Sequence, residues 1–100
     1  MTVNNKINTY QYGNTVRFDC IFYDFNNEKI NPDLIKIIIY NSRYEILHEE
    51  LMSTNNQKNI GEYFYDYVTE EKKQTLYYEW YGEINGKPSL KRGEFQTKFI

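Results

Sequence analysis

The sequence predicts an all-β sandwich of about seven antiparallel strands, and three features carry that prediction. The first is aromatic alternation. Gly61-Glu62-Tyr63-Phe64-Tyr65-Asp66-Tyr67-Val68 is followed, after a charged turn, by Leu76-Tyr77-Tyr78-Glu79-Trp80-Tyr81-Gly82. A period of two places Tyr63, Tyr65 and Tyr67 on one face of a strand, and Leu76, Tyr78 and Trp80 on one face of the next. Two such strands must share a core, because neither buries that surface alone. The second is ring content. With 11 tyrosines, 6 phenylalanines and 1 tryptophan, the expected core is built of rings and isoleucines, which favours strands over a helical bundle. The third is punctuation: Gly13-Asn14, Asn26-Asn27, Asn41-Ser42-Arg43 and Asn85-Gly86 are turn signals between apolar runs.

The elements follow in order. Met1 to Asn5 reads as a flexible lead-in and Lys6 to Tyr12 as a first edge strand. Thr15 to Tyr23 is a strand with Val16, Phe18, Cys20 and Phe22 facing one way. Asp24 to Asp33 is a loop, stopped from regular pairing by Pro32. Leu34 to Tyr40 is nearly continuous hydrophobe, with Ile35, Ile37 and Ile39 on one face and Leu34, Ile38 and Tyr40 on the other. That suits a central strand covered on both sides, or one at a protein interface. Tyr44 to Met52 reads as a strand paired back on it; a short helix competes, because Tyr44, Leu47, His48 and Leu51 also fit helical spacing. The short preceding link favours the strand. Ser53 to Lys58 is a polar loop. Asn59 to Val68 and Gln74 to Glu83 are the aromatic strands, with Thr69 to Lys73 a turn that Thr69 is suited to start as one helical turn. Pro88 argues for a loop over Lys87 to Arg92. Gly93 to Ile100 closes the fold, with Phe95, Thr97 and Phe99 aligned. Short strands at this spacing fit an immunoglobulin-like sandwich, and 100 residues fit one domain spanning 1–100.

Charge and cysteine content bound the function. A net charge of −2, with no basic half, supplies no field to recruit phosphates, so nucleic acid is not an expected partner. No run approaches the roughly 20 apolar residues of a membrane span, and the first residues lack the apolar stretch of a signal peptide. Cys20 has no partner for an internal disulfide and reads as a small core residue of a protein assembled in a reducing cytosol.

The order of motifs resembles a family. A Gly-Asn-Thr-Val-Arg-Phe strand precedes an Asp-Phe-Asn-Asn-Glu-Lys-Ile-Asn-Pro-Asp loop, then an Ile-rich strand ending in Tyr40-Asn41. Gly61-Glu62-Tyr63-Phe64-Tyr65, Tyr77-Tyr78-Glu79-Trp80-Tyr81-Gly82 and Gly93-Glu94-Phe95-Gln96-Thr97 follow. Over residues 12 to 100 this resembles the short immunoglobulin-like proteins of the head, neck and tail gene region of tailed bacteriophages. The same pattern also describes bacterial surface domains and modules attached to carbohydrate-active enzymes. The phage resemblance implies a structural or attachment role in a virion, assembled in a bacterial host cytoplasm. The implied partners are capsid, neck or tail proteins, or further copies of the chain. It implies no catalytic residue and no cofactor. The Asn, Lys, Ile and Tyr enrichment matches an AT-rich coding sequence.

Residue chemistry gives no enzyme. His48 lies near Glu45, Glu49 and Glu50, but zinc needs three or four converging ligands and nothing fixes the others, so it reads as a solvated edge residue. Asp24, Asn26, Glu28 and Asp33 bear oxygens within one loop, yet the glycine and terminal glutamate of a calcium-binding EF-hand loop are absent, and a hairpin-type loop explains them as well. Glu49-Glu50 and Glu70-Glu71 do not converge as acid–base pairs, and no nucleophile elbow or phosphate cradle exists. The aromatics remain. Tyr63, Tyr65, Tyr67, Tyr78 and Trp80 are expected in the core. Tyr40, Tyr44, Phe64, Tyr77 and Tyr81 exceed what a sandwich of this size hides and are the expected partner surface. The alternative is a carbohydrate- or cell-surface-binding module, with Trp80, Tyr77 or Tyr81 as a platform for sugar rings. The edge of the last strand offers a further contact route.

Overall fold

A computed structural model of the protein describes residues 8–100. It is an all-β sandwich of two sheets. β1 (Asn8–Gln11), β8 (Lys87–Lys98), β7 (Gln74–Ile84), β3 (Leu34–Tyr40) and β4 (Ile46–Leu51) lie side by side in that order in one sheet. β2 (Thr15–Ile21), β6 (Glu62–Val68) and β5 (Gln57–Asn59) form the other. Among the described residues the strands number eight rather than about seven, and one pair is not antiparallel: β1 runs parallel to β8, Asn8 beside Phe95 through Gln11 beside Lys98. The expected lead-in, Met1 to Asn5, and the start of the first strand lie outside the described residues.

Alternation decides what each strand buries. On β2, Val16, Phe18 and Cys20 point inward with Phe22 beyond, while Thr15, Arg17, Asp19 and Ile21 are exposed. On β3, Ile35, Ile37 and Ile39 are buried. They meet Leu76, Trp80 and Ile84 of β7, Phe95 of β8 and Tyr63 of β6 in one apolar cluster. Phe18 stands against Tyr78 and Phe95 with ring centroids 4.9 and 5.1 Å apart. Inward packing is close enough to demand glycine twice. A Cβ at Gly82 would lie 2.6 Å from the Phe22 ring, and one at Gly93 would overlap Tyr78. Each gap on one strand is filled by a ring from a neighbour.

Five expectations are corrected. Lys87 to Arg92 is strand, not loop: the chain reverses at Asn85 and Gly86, both at positive φ (54° and 73°), and pairs at once, Ile84 with Lys87. A two-residue hairpin makes that the bonded pair, so Pro88, opposite Glu83, directs its nitrogen away from β7. The described part of β1 pairs with β8 only from Phe95 to Lys98, well beyond Pro88. The proposed Asn59–Val68 strand is two strands, interrupted at Gly61, which has φ 75° and whose amide donates to Asn31 Oδ1 at 2.7 Å. Thr69 starts no helical turn; it is buried, and its amide and hydroxyl both donate to the Asn14 carbonyl, at 3.0 and 2.8 Å. Phe99 does not continue the Phe95–Thr97 row. It lies past the end of β8, 76% exposed, against Tyr12. Tyr65 and Tyr67 face inward but stay half-buried, because β4 is the sheet edge and covers them incompletely. The Tyr44–Met52 segment is a strand from Ile46 to Leu51, as the short link requires.

Candidate docking face

The outer face of the five-stranded sheet gathers four tyrosines, whereas the exposed Tyr23 and Phe25 lie in the loop after β2 and the exposed Phe99 past the end of β8. Alternation on β3 and β7 sends Lys36, Ile38, Tyr40, Tyr77, Glu79 and Tyr81 outward. Register then sorts them into rows across the sheet. Tyr40 sits beside Tyr77, and Tyr77 beside Glu94 of β8. Ile38 sits beside Glu79, and Glu79 beside Arg92. Lys36 sits beside Tyr81, and Tyr81 beside Leu90. The face is thus two rows rich in rings and apolar groups on either side of a charged belt.

Tyr44 joins from the link before β4. Asn41 Oδ1 accepts from the amides of Arg43 (2.9 Å) and Glu45 (3.0 Å), closing a tight turn that leaves Tyr44 at φ 61°. The ring folds back and stacks on Tyr77, centroids 4.9 Å apart and planes 22° apart. Tyr44 stays 69% exposed. Tyr40 pairs with Ile46 whereas Ile39 pairs with His48, so Leu47 bulges from the ladder. Together Tyr40, Tyr44, Tyr77, Arg92 and Glu94 line an open cleft of about 500 Å³ with Glu79 on its floor.

Glu79 is the site's unusual residue. It is buried although it points away from the core, and its Oε1 accepts from Arg92 Nε at 2.5 Å. The bond holds the Arg92 guanidinium charged still more firmly than usual. Burial, with Glu79 nearby, pushes the Tyr40 hydroxyl above its ordinary range. Tyr77 is raised by its interaction with the Tyr44 hydroxyl, by partial burial and by Glu94. Tyr81 donates to Glu83 at 2.9 Å and is raised by that bond, while Lys36, paired with Glu49 at 2.9 Å, lies 5.3 Å above its ring.

Four of the five expected surface aromatics, Tyr40, Tyr44, Tyr77 and Tyr81, therefore share this face. Phe64 does not. It lies on the outer face of the other sheet, with Arg17 4.3 Å and Lys58 5.8 Å from its ring centroid. That face is laced by ion pairs: Arg17 with Asp66 at 2.7 Å, Lys29 with Glu62 at 2.7 Å, and Lys58 with Asp19. Trp80 is fully buried on the opposite side of β7 from Tyr77 and Tyr81, so it forms no part of an exposed sugar platform. Its indole nitrogen has no hydrogen-bond partner among the described residues. Sequence reasoning missed the Glu79–Arg92 pair. Counting outward from the Asn85-Gly86 turn leads to it, once Pro88 is not taken as the sign of a loop over Lys87 to Arg92.

His48 is corrected as well. It sits on the edge strand, but its ring turns inward, stacks 5.6 Å from Tyr65 and lies 2.7 Å from the Tyr65 hydroxyl and 3.3 Å from Glu50. It partly fills the gap that the edge leaves over Tyr65 and Tyr67. Burial, then Glu50, pushes the Tyr65 hydroxyl upward. In the Asp24 loop, Oδ1 accepts from the amides of Asn26 (2.8 Å) and Glu28 (3.0 Å), the hydrogen bonding of a tight turn. Among the described residues no three His, Cys, Asp or Glu side chains group as a metal site, and no helix is long and apolar enough to cross a membrane. Comparison with protein-family models, with curated proteins and with solved structures finds no match.

Proposed function

We propose that this chain is a non-enzymatic docking domain, a structural component of a tailed-phage virion (decoration, head fibre, neck or tail) that attaches through the outer face of its five-stranded sheet. The observation that carries the docking half is the clustering of Tyr40, Tyr44, Tyr77 and Tyr81 on a face that no second layer covers among the described residues. Tyrosine combines large area, few rotors and one hydroxyl, which suits a surface that is wet when free and dry when bound. The virion half rests on the motif resemblance. The strand order supports an immunoglobulin-like reading of the sandwich. On that reading β2, β6 and β5 would correspond to strands B, E and D, β3, β7 and β8 to C, F and G, and β4 to the extra strand of variable-type domains. The paired cysteines of antibody domains are absent. Weak contacts of this kind become durable when repeated over many symmetric copies.

The test is co-assembly. Particles produced with the wild-type chain should contain it by mass spectrometry, and a Tyr44→Asn, Tyr77→Ser double variant should fold yet be depleted from them. A chain that never enters particles ends the virion reading. A double variant incorporated as well as wild type ends the docking-face reading. The exposed Tyr44 ring beside a cleft also supports the carbohydrate-binding alternative. A glycan array with saturable binding, lost in the Tyr44 variant, would promote it.

A further inference from the structure

We propose that the cleft beside Tyr44 and Tyr77 seats a basic side chain, lysine or arginine, presented by the partner protein. This rests on the docking reading above and names the chemistry that the face selects. Three observations on the cleft converge. Its walls are phenol rings, Tyr40, Tyr44 and Tyr77, and the face of a tyrosine ring attracts a cation within about 6 Å of its centroid. Its charges do not cancel. Glu79 and Arg92 neutralise each other across β7 and β8, whereas the Glu94 carboxylate at the rim makes no ion pair or side-chain hydrogen bond among the described residues. Glu94 stands directly across the ladder from Tyr77, with the two Cβ atoms about 5 Å apart, so a cation resting on the rings has a counter-ion on the same face. Finally, Tyr44 holds positive φ. That conformation is costly for a bulky side chain and comfortable for asparagine or glycine. The strained backbone presents a ring largely to water, and the ring completes the wall of the cleft.

An acidic anchor fits less well. Arg92, the one cation lining the cleft among the described residues, already spends its Nε on Glu79, and an incoming carboxylate would meet Glu94. A neutral aliphatic anchor would use the rings and leave Glu94 unanswered.

The experiment titrates isotope-labelled protein, followed by amide chemical shifts, with N-acetyl-lysine-N-methylamide and N-acetyl-arginine-N-methylamide. The norleucine and glutamate analogues serve as neutral and anionic comparisons. The basic probes should give saturable shifts centred on Tyr77, Glu79 and Arg92 to Glu94. Glu94→Gln, a surface change, should weaken them by up to about fivefold, the scale of an exposed ion pair. Tyr44→Asn should lose most of the binding without losing stability, because the new residue relieves the backbone. Norleucine binding as well as lysine, glutamate binding better, or basic probes shifting nothing in the cleft would each overturn the inference. Continued co-assembly through the tyrosine face would then leave the docking reading standing. Loss of co-assembly in the tyrosine variants is what that broader reading requires, whichever probe binds.

Discussion

Cys20 is set apart by its surroundings rather than its chemistry. It is free and buried at 3% exposure, and burial pushes its thiol from the ordinary value near 9.0 up to about 11, with Lys91 pulling weakly the other way. The folded state therefore keeps its proton where the unfolded chain releases it. Stability from this group is intact below pH 9.0 and is lost as pH climbs through about 11, by a few kcal/mol at most. Denaturant melts from pH 8 to 11 should show a steeper alkaline decline for wild type than for Cys20→Ala; equal slopes would refute it. His48, the other residue with reactive potential, was misread from the sequence because edge strands are usually wet. Its neighbours Tyr65 and Tyr67 come from the opposite sheet, which no local pattern reveals. The phase of alternation did foresee the separation of Trp80 from Tyr77 and Tyr81 on opposite faces of β7.

At the scale of elements, β7 and β8 organise the molecule. They pair along their whole length, Gln74 with Thr97 through Ile84 with Lys87. β8 was half hidden in the sequence by Pro88, since a proline rule applies to both flanks of a strand and only tertiary pairing says which flank is used. β5 was hidden for the opposite reason, being too short for any periodicity to show. Gly82 shows how tightly β7 is held against the other sheet. Adding a methyl there would drive Cβ into the Phe22 ring. Gly82→Ala should cost about 1–3 kcal/mol, the usual range for overpacking, and Gly82→Ala with Phe22→Leu should recover part of it. Chemical denaturation of the two variants measures both. A neutral single variant would mean that β2 and β7 sit further apart than described.

For the whole molecule, the two outer faces divide the labour. One is dressed in ion pairs around Phe64; the other carries tyrosines around Glu79 and Arg92. The first should govern behaviour in acid. Hydrogen bonding to Arg17 holds the Asp66 carboxyl below its usual range. Its contribution is present above about pH 4, the unfolded value, and is lost as pH falls through the lower folded value. Wild type should lose stability more steeply than Asp66→Asn in melts from pH 5 to 2, and the difference should shrink in high salt because the pair is exposed. A variant with the wild-type acid slope would show the pair to be idle.

The sequence by itself determined the all-β class, the inward and outward faces of β2, β3 and β7, the reversal at Asn85-Gly86 and the surplus of tyrosine. These follow from a two-residue period and from turn chemistry, which are local. Tertiary structure alone decided that β1 runs parallel to β8, that His48 turns inward over Tyr65, and that Glu79 is buried on the outer face while Arg92 stays exposed. Tertiary structure also parted Phe64 from Tyr40, Tyr44, Tyr77 and Tyr81. Alternation says that a side chain faces outward, but a sandwich has two outsides, and only strand pairing assigns a strand to one of them.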